Sequence, residues 1–233
     1  MSEKKEYPKH IGIILDGNRR WAKERGMLPW DGHKAGAEKW KELKRWMLEL
    51  DIHELTLYCF SIQNFERDKN EVFFLMKIFA GIFEDLLADQ EIIDNEIRIK
   101  HIGRKEMLPR TLQDLVRKIE EKTKRFKRHV VNFAMAYGGQ EEIIDAVKKL
   151  FSDRKIKINE LTPQIFNNYL QLASYPDLII RTSGEKRTSN FLVFQQAYSE
   201  WFFPKMYWPD FTKKDLINII DDYLGKRERR FGK

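Results

Sequence analysis

The sequence has 233 residues, a length typical of one domain, here residues 1–233, that buries its own core without disulfides or a structural metal. A single cysteine, Cys59, excludes an internal disulfide, and its apolar neighbours favour a small core residue and a reducing, cytoplasmic compartment. No window approaches the roughly 18 apolar residues of a membrane span, so we expect a soluble protein. The net charge of +7 favours an anionic partner: nucleic acid, a membrane surface or a phosphorylated small molecule. Interspersed charges of both signs also fit an ordinary solvated surface.

The predicted elements alternate along the chain between short apolar runs and helical patterns. Five runs predict strands: HIGIILDGN, ELTLYCFSIQN, EIRIKHIG, VVNFAMAYGG and PDLIIRTSGE. Apolar residues at three- and four-residue spacing predict helices over 40–50, 71–90, 112–119 and 143–150. This alternation predicts an α/β fold with a central, mostly parallel sheet flanked by helices. Ligands of such sheets bind beyond the carboxyl ends of the strands.

The first strand ends at a group suited to a diphosphate and a magnesium ion. Asp16 supplies a carboxylate, and Gly17 allows close backbone approach. Arg19, Arg20 and the start of a helix add positive charge and free N–H groups. The alternative is a turn in which Asp16 only caps the following helix.

The last predicted strand ends in RTSGEKRTSN, which combines Arg181, Lys186 and Arg187 with four hydroxyl residues and Gly184. Arginine and hydroxyl side chains in this pattern can curl around a phosphate, which predicts a second anion site. A solvated, Ser/Thr-rich loop is the alternative.

The helix over 71–90 carries more apolar residues than one core-facing stripe needs. The surplus fits a lid, a dimer contact, a tunnel for a hydrocarbon tail, or ordinary core packing. A phosphate site beside an apolar groove indicates a prenyl or acyl diphosphate. Bulky candidates for closing such a tunnel are Phe73, Phe74, Met76, Phe79, Phe83 and Met135.

Several familiar motifs are missing from the sequence: GxxxxGK[ST], GxGxxG after a strand, HExxH and GxSxG. Asp221-Asp222 is followed by Tyr-Leu-Gly, which excludes the DDxxD segments of the all-helical trans-prenyltransferases. The basic charge also fits a nucleic-acid-binding module, but no RNA- or DNA-binding signature supports it. We therefore predict no nucleic-acid partner.

Four segments give a family resemblance: HIGIILDGNRRWAKERG, GHKAG, TLYCFSIQNFERDKNEV and DLIIRTSGEKRTSNFLVFQQAYSEWFFPKMYWPDF. In this order they resemble undecaprenyl diphosphate synthases and their dehydrodolichyl relatives, the cis-prenyltransferase family. The ending Arg230-Phe231-Gly232 is similar to the family's RxG motif. FSIQNFER and DGNRRW look more like archaeal or eukaryotic members than bacterial ones.

The resemblance implies a homodimer, a parallel sheet with a hydrophobic tunnel, and two adjoining diphosphate sites per subunit. It implies a Mg²⁺-dependent Z-type polyprenyl diphosphate synthase that repeatedly condenses isopentenyl diphosphate with an allylic starter, farnesyl or geranylgeranyl diphosphate. The long-chain product would be the precursor of a glycosyl carrier lipid. The enzyme would be cytoplasmic and peripheral at the membrane surface, toward which the product is released. Some relatives are non-catalytic partner subunits, but Asp16, Asn64 and the RxG ending argue against that role here.

Site roles follow from the same resemblance. Asp16 would hold magnesium and assist departure of the allylic diphosphate, Asn64 would help proton removal, and Glu200 would join the metal. Substrate-binding roles match Gly17, Asn18, Arg19, Arg20, Trp21, His33, Ser61, Gln63, Phe65, Arg67, Arg181, Arg187, Thr188, Ser189, Arg230 and Gly232.

Two positions depart from the family pattern. Pro29 stands where many members carry an arginine for the starter diphosphate, so the starter would rely on Arg20 and Arg67, or on Arg25. Lys186 stands where bacterial members often have a metal-linked histidine, and a cation there favours phosphate over metal.

Overall fold

The computed structural model describes residues 7–153 and 156–226. Its six strands are β1 (His10–Ile14), β2 (Glu54–Ser61), β3 (Ile97–Ile102), β4 (His129–Tyr137), β5 (Leu178–Arg181) and β6 (Glu200–Phe202). Its helices are α1 (Asn18–Glu24), α2 (Pro29–Glu49), α3 (Lys69–Ala88), α4 (Gln90–Asp94), α5 (Arg110–Thr123), α6 (Gly139–Ser152), α7 (Pro163–Asn167) and α8 (Lys213–Lys226). Short 3₁₀ turns lie between them, of which Ile62–Glu66 and Thr182–Gly184 belong to the site.

The strands form one sheet in the order β3-β4-β2-β1-β5-β6, and every pairing among the described strands is parallel. Parallel strands need crossover connections, which the intervening helices provide. Because both faces are covered, β1 is buried along its whole length and reads as a continuous apolar run rather than an alternation. The predicted α/β fold with a central parallel sheet and flanking helices is confirmed.

Two apolar clusters pack the sheet on its two faces. The larger joins it to α2, α3, α5 and α8, and the smaller joins it to the segment around Leu172, Phe191 and Leu192. The helix predicted over 71–90 corresponds to α3, which ends at Ala88, and Asp89 then caps the short helix α4 by accepting from Glu91 N at 2.9 Å. None of the helices in the described ranges combines the length and the apolar content needed to cross a bilayer.

Cys59 lies on β2, half-buried and packed against the larger apolar cluster. Burial raises its pKa to about 12, so the thiolate that would react is disfavoured. This agrees with the structural role expected for the only cysteine in the sequence.

Candidate active site

Asp16 lies two residues beyond β1, where its backbone is fixed by the neighbouring strand end. Its N–H donates to Thr182 Oγ1 at 3.0 Å, and the same hydroxyl donates to Asp16 O at 2.7 Å. Gly17, the N-cap of α1, has φ = 103°, and a Cβ there would lie 2.5 Å from Tyr207 Cδ1. The carboxylate does not cap α1 beyond accepting the Gly17 N–H at 2.7 Å, so its other oxygen faces the site.

A buried guanidinium holds that second oxygen. Arg181, at the end of β5 and 5% exposed, donates to Asp16 Oδ2 from Nη2 at 2.8 Å and from Nε at 3.2 Å. Its third nitrogen donates to Ser189 Oγ at 2.6 Å and to the carbonyl of Arg187. The two ends of neighbouring parallel strands thus meet in one ion pair, as the strand-end rule predicts.

The loop after β5 brings further charge to the same place. Arg20 donates to Ser183 Oγ at 2.7 Å and to Glu185 Oε1 at 3.0 Å, and lies 3.6 Å from Asp16 Oδ1. Arg187 pairs with the other oxygen of Glu185 at 2.6 Å. Glu185 therefore connects the arginine of α1 to the arginine of the loop, and it was not among the predicted site residues.

A second cluster lies across the cavity around Glu71, in the first turn of α3. Its Oε1 is 3.2 Å from both His33 Nε2 and Arg67 Nη1, and its Oε2 is 3.7 Å from Arg19 Nη1. Burial lowers the pKa of His33, and the hydrogen bond and charge of Glu71 oppose that effect. Three predicted substrate-binding residues thus share one carboxylate that the sequence analysis did not identify.

The turn after β2 forms a reciprocal cap between Ser61 and Asn64. Ser61 N donates to Asn64 Oδ1 at 3.0 Å, and Asn64 N donates to Ser61 Oγ at 3.2 Å. Phe65 packs edge-on against Phe60, with ring centroids 4.9 Å apart. This arrangement places Ser61 and Asn64 on the wall of the cavity.

These groups surround a cavity of about 640 Å³ with a polar mouth and an apolar interior. The mouth is lined by Asp16, Gly17, Asn18, Arg19, Arg20, His33, Ser61, Asn64, Arg67, Arg181 and Ser189, and the interior by Trp40, Leu57, Cys59, Phe60, Leu75, Ile78, Phe79, Ile82, Phe83 and Phe133. Of the bulky residues proposed to close a tunnel, Phe79 and Phe83 line the cavity, whereas Phe73 is 62% exposed. Anionic and apolar parts of one ligand could therefore bind side by side.

Some predicted site residues lie elsewhere. Trp21 points away from the cavity and donates to Asp210 Oδ1 at 2.7 Å, and Arg25 stacks on its ring and pairs with the same aspartate. Arg25 therefore does not replace the arginine missing at Pro29 in this structure. Thr188 is exposed beside Ser189, and Gln63 donates to Glu141 Oε1 at 3.3 Å.

Glu200 is the first residue of β6. In the sheet register it lies beside Leu178 of β5, which in turn lies beside Ile11 of β1. That is the amino-terminal edge of the sheet, about five residues or roughly 16 Å from Asp16 along the strand direction. Within one chain, Glu200 and Asp16 therefore do not share a metal. Arg230 and Gly232 lie outside the described residues.

Asn190 was also missed by the sequence analysis. Ser189, Asn190 and Leu192 all have positive φ, at 49°, 63° and 45°, which is unusual outside glycine. Asn190 O and Oδ1 accept from Gly139 N at 2.7 Å and Gln140 N at 2.8 Å, and its amide donates to Glu141. The amino end of α6, a usual place for anions, is here engaged by the backbone and side chain of Asn190, in the loop after β5.

The family model described as putative undecaprenyl diphosphate synthase matches residues 14–232. The chain belongs to this family. Among curated relatives, the tritrans,polycis-undecaprenyl-diphosphate synthase (geranylgeranyl-diphosphate specific) of Pyrococcus horikoshii is 45% identical over 231 residues, 97% of this chain and 87% of that protein. The protein of the same name from Thermoplasma volcanium is 45% identical over 240 residues, 100% of this chain and 93% of that protein. Both organisms are archaea, in agreement with the expected archaeal affinity.

Two solved structures of cis-prenyltransferases share the fold. Lavandulyl diphosphate synthase from Lavandula x intermedia, in complex with dimethylallyl diphosphate, superimposes with a TM-score of 0.86 at 34% identity, covering 94% of this chain and 95% of that one. A probable undecaprenyl diphosphate synthase from Campylobacter jejuni gives 0.81 at 30% identity, covering 98% and 100%. The chain is thus a prenyltransferase that makes Z-type prenyl diphosphates, as predicted.

Proposed function

We propose that this cis-prenyltransferase condenses isopentenyl diphosphate repeatedly with an allylic prenyl diphosphate, in a Mg²⁺-dependent reaction. One observation carries the proposal: the Asp16–Arg181 pair lies at the mouth of a cavity whose interior is apolar. A prenyl diphosphate has the same two parts. The charged mouth would hold diphosphate, and the interior would hold hydrocarbon.

Two groups of residues would hold the two diphosphates. Arg181, Arg187 and Ser189, on the loop after β5, would bind isopentenyl diphosphate. The backbone and arginines at the start of α1, with Arg67 and His33, would bind the allylic diphosphate. In the structure each arginine pairs with a carboxylate. A diphosphate that binds would replace these arginine–carboxylate hydrogen bonds with arginine–phosphate hydrogen bonds. Each charge-assisted bond of either kind is worth about 1.5–3 kcal/mol.

The residues present fit a magnesium ion that is held by a single carboxylate together with the diphosphate of the substrate. The described residues contain no group of three or more His, Cys, Asp and Glu side chains that could form a closed metal site. Mg²⁺ is commonly bound by one or two carboxylates, with diphosphate oxygens and waters completing the octahedron. Asp16, partly exposed and surrounded by diphosphate-binding groups, suits that arrangement. When bound, the ion would neutralise charge that develops on the departing diphosphate.

The chemical step would be attack by the isopentenyl double bond on C1 of the allylic substrate. The new C–C bond forms as the C1–O bond breaks, and the electron pair leaves with diphosphate. Arg19 and Arg20 would stabilise that leaving charge. A proton is then lost from the former isopentenyl unit to give the Z double bond. Asn64 would orient this step, while water or diphosphate accepts the proton, because an amide is a poor base.

We infer the starter substrate and the product length of this enzyme from its archaeal relatives. The names of the archaeal proteins specify geranylgeranyl diphosphate and an undecaprenyl product. We propose the same starter here in preference to farnesyl diphosphate, with a long-chain polyprenyl diphosphate as product. That product would be the precursor of a glycosyl carrier lipid and would be released toward a membrane.

The working enzyme would be a cytoplasmic homodimer, peripheral at the membrane surface. Three large apolar residues are each more than three-quarters exposed: Phe151 near the end of α6, and Ile158 and Tyr198 between α6 and β6. Their exposure supports coverage by a second copy. Arg230 and Gly232 would then complete the partner's diphosphate site. Light scattering at micromolar concentration tests this assembly, and a monomer at all concentrations would refute it.

Radiolabelled isopentenyl diphosphate tests the function. The enzyme is incubated with Mg²⁺ and, separately, ten-, fifteen- and twenty-carbon allylic diphosphates, and product chain length is measured. We expect elongation, fastest from the twenty-carbon starter, and loss of elongation in chelator. Failure to elongate any starter would overturn the proposed function.

A further inference from the structure

A segment that contains none of the predicted site residues joins the two strand-end loops of the cavity mouth. Residues 204–208, which we call the strap, lie just after β6. Carbonyl groups of the strap accept from Ser183 N at 2.7 Å and from Gly184 N at 2.9 Å, in the turn after β5. At its far end Trp208 N donates to Asp16 O at 3.0 Å, beyond β1. The strap therefore connects both halves of the mouth.

A buried tryptophan anchors the strap to helix α2. The indole N–H of Trp208 donates to Gly36 O at 2.8 Å, and its ring stacks on Phe211 with centroids 5.7 Å apart. A buried side chain that is packed and hydrogen-bonded in this way has little freedom to move. The preceding residue, Tyr207, is therefore held in a fixed position beside the mouth.

The side chain of Tyr207 contacts both ends of helix α1. A Cβ built on Gly17, the N-cap, would lie 2.5 Å from Tyr207 Cδ1, so only glycine leaves room for the ring. The Tyr207 hydroxyl donates to Glu24 Oε1, on the last residue of the helix. Because α1 has only seven residues and no side-chain cap, its orientation depends on such tertiary contacts.

Between these two ends, the same ring supports Arg20. The guanidinium carbon lies 5.7 Å from the ring centroid, within the range of a cation–π interaction. In the described part of the chain, the other partners of Arg20 are Ser183, Glu185 and Asp16, and two of these three are carboxylates. A diphosphate that binds Arg20 would repel both carboxylates, whereas the neutral ring would stay in contact. Tyr207 thus supports Arg20 without competing with an anionic ligand.

We propose that Tyr207 is a positioning residue, whose ring holds the Arg20 guanidinium in the orientation that binds the allylic diphosphate. Tyr207 is not among the described residues that line the cavity, so it would act through Arg20 rather than by touching the substrate. This inference rests on the proposed function, because that function supplies the allylic diphosphate as the ligand of Arg20.

Binding without turnover tests the proposal. Geranylgeranyl diphosphate is titrated into the enzyme by calorimetry, with Mg²⁺ and without isopentenyl diphosphate. We expect Tyr207→Leu to bind it about three- to fivefold more weakly than wild type, which is the size of an exposed cation–π interaction. Tyr207→Phe, which keeps the ring, should stay within about 1.5-fold of wild type. Wild-type affinity in Tyr207→Leu, or an equal loss in Tyr207→Phe, would overturn the proposal.

A double-mutant cycle separates positioning from a general loss of packing. Arg20→Met removes the guanidinium that the ring supports, so adding Tyr207→Leu should then change the affinity by less than about 1.5-fold. An undiminished effect in the Arg20→Met background would show that Tyr207 acts through another group. Tyr169→Leu is the matched control, because the Tyr169 hydroxyl also donates to a carboxylate, Asp153 Oδ2 at 2.9 Å. We expect wild-type affinity there, and a loss equal to that of Tyr207→Leu would refute a specific role.

A fluorinated ring decides the question if Tyr207→Leu folds poorly. Tyr207→pentafluorophenylalanine keeps the shape of a phenyl ring and reverses the quadrupole that attracts cations. We expect it to bind geranylgeranyl diphosphate at least about threefold more weakly than Tyr207→Phe, and equal affinities would refute the proposal. A wild-type enzyme that binds no allylic diphosphate would instead refute the proposed function.

Discussion

Asp16 holds its negative charge against a guanidinium that is almost fully buried. The pair organises the mouth of the cavity. This arrangement means that Asp16 contributes both to the fold and to the proposed chemistry. A substitution that removes the whole side chain therefore affects both, and only a substitution of similar shape separates them.

Asp16→Asn keeps the shape and one hydrogen-bond acceptor for Arg181 but removes the charge that would hold magnesium. We expect single-turnover condensation to fall at least about 100-fold, because stabilisation of the leaving charge is worth several kcal/mol. The melting temperature should fall by only a few degrees. Asp16→Ala should melt lower, since it leaves a buried guanidinium without its carboxylate. Near-wild-type turnover of Asp16→Asn would contradict the assigned role.

Asn190 contributes in two separable ways, through its left-handed backbone and through its side-chain bonds to α6. Asn190→Gly retains the left-handed backbone conformation at low cost and loses the side-chain hydrogen bonds to α6. Asn190→Ala loses the same hydrogen bonds and also disfavours the left-handed conformation. We expect the KM for isopentenyl diphosphate to rise in both variants and more in Asn190→Ala, by about tenfold relative to Asn190→Gly, since the left-handed conformation costs about 1–2 kcal/mol outside glycine. Equal KM values would show that the strained backbone does not position Ser189. Asn95→Ala, on the surface after α4, is the control.

Among the elements, α2 and α3 are joined at the cavity mouth through His33 and Glu71. Burial lowers the pKa of His33, and both effects that oppose this lowering, a hydrogen bond and a negative charge, come from Glu71. Glu71→Gln should therefore move the pKa of His33 to a still lower value. An NMR titration of the imidazole protons measures it, with the exposed Glu84→Gln on the same helix as control. A rise in the pKa would show that the two side chains do not interact in solution.

The elements themselves were largely predictable. Apolar runs identified β1 to β5, because fully buried parallel strands are continuously apolar. The edge strand β6 was missed, since three residues, Glu200–Phe202, are too few to show a pattern. The helix α4 was not predicted, because five residues, Gln90–Asp94, are too few to show a helical spacing of their own.

The candidate site was predictable where it depends on strand ends and less so where it depends on which loops meet. Asp16, Ser61 and Arg181 follow directly from the strand-end rule. Glu71 and Glu185 join the site chiefly through residues distant in sequence: Glu71 pairs with Arg19 and His33, and Glu185 pairs with Arg20. No local pattern marked them. The distance of Glu200 from Asp16 could not be predicted from the sequence, because it depends on the register in which β6 pairs with β5.

For the whole molecule, buried histidines link stability to pH. Burial lowers the pKa of His10 and His33, and lowers that of His101 to about 4. His101 on β3 is neutral at pH 7, and its Nε2 donates to Met135 O at 3.0 Å on the neighbouring β4. Between about pH 4, the pKa of His101 in the folded state, and pH 6.5, its ordinary value, the folded state therefore binds fewer protons than the unfolded state. The stabilisation present above pH 6.5 is lost as the pH falls toward 4.

His101→Gln removes the titrating group and leaves an amide that can donate to the same carbonyl. Between pH 7 and pH 4 we expect the free energy of unfolding of the wild type to fall by about 3 kcal/mol more than that of the variant, since one pKa unit corresponds to 1.36 kcal/mol. Urea denaturation at each pH measures both curves, and the carboxylates they share cancel in the difference. Because β3 is an edge strand that pairs only with β4 among the described strands, the loss at acid pH should begin there. Amide exchange of residues 97–102 should then rise first in the wild type, and parallel stability curves would exclude His101 as the cause.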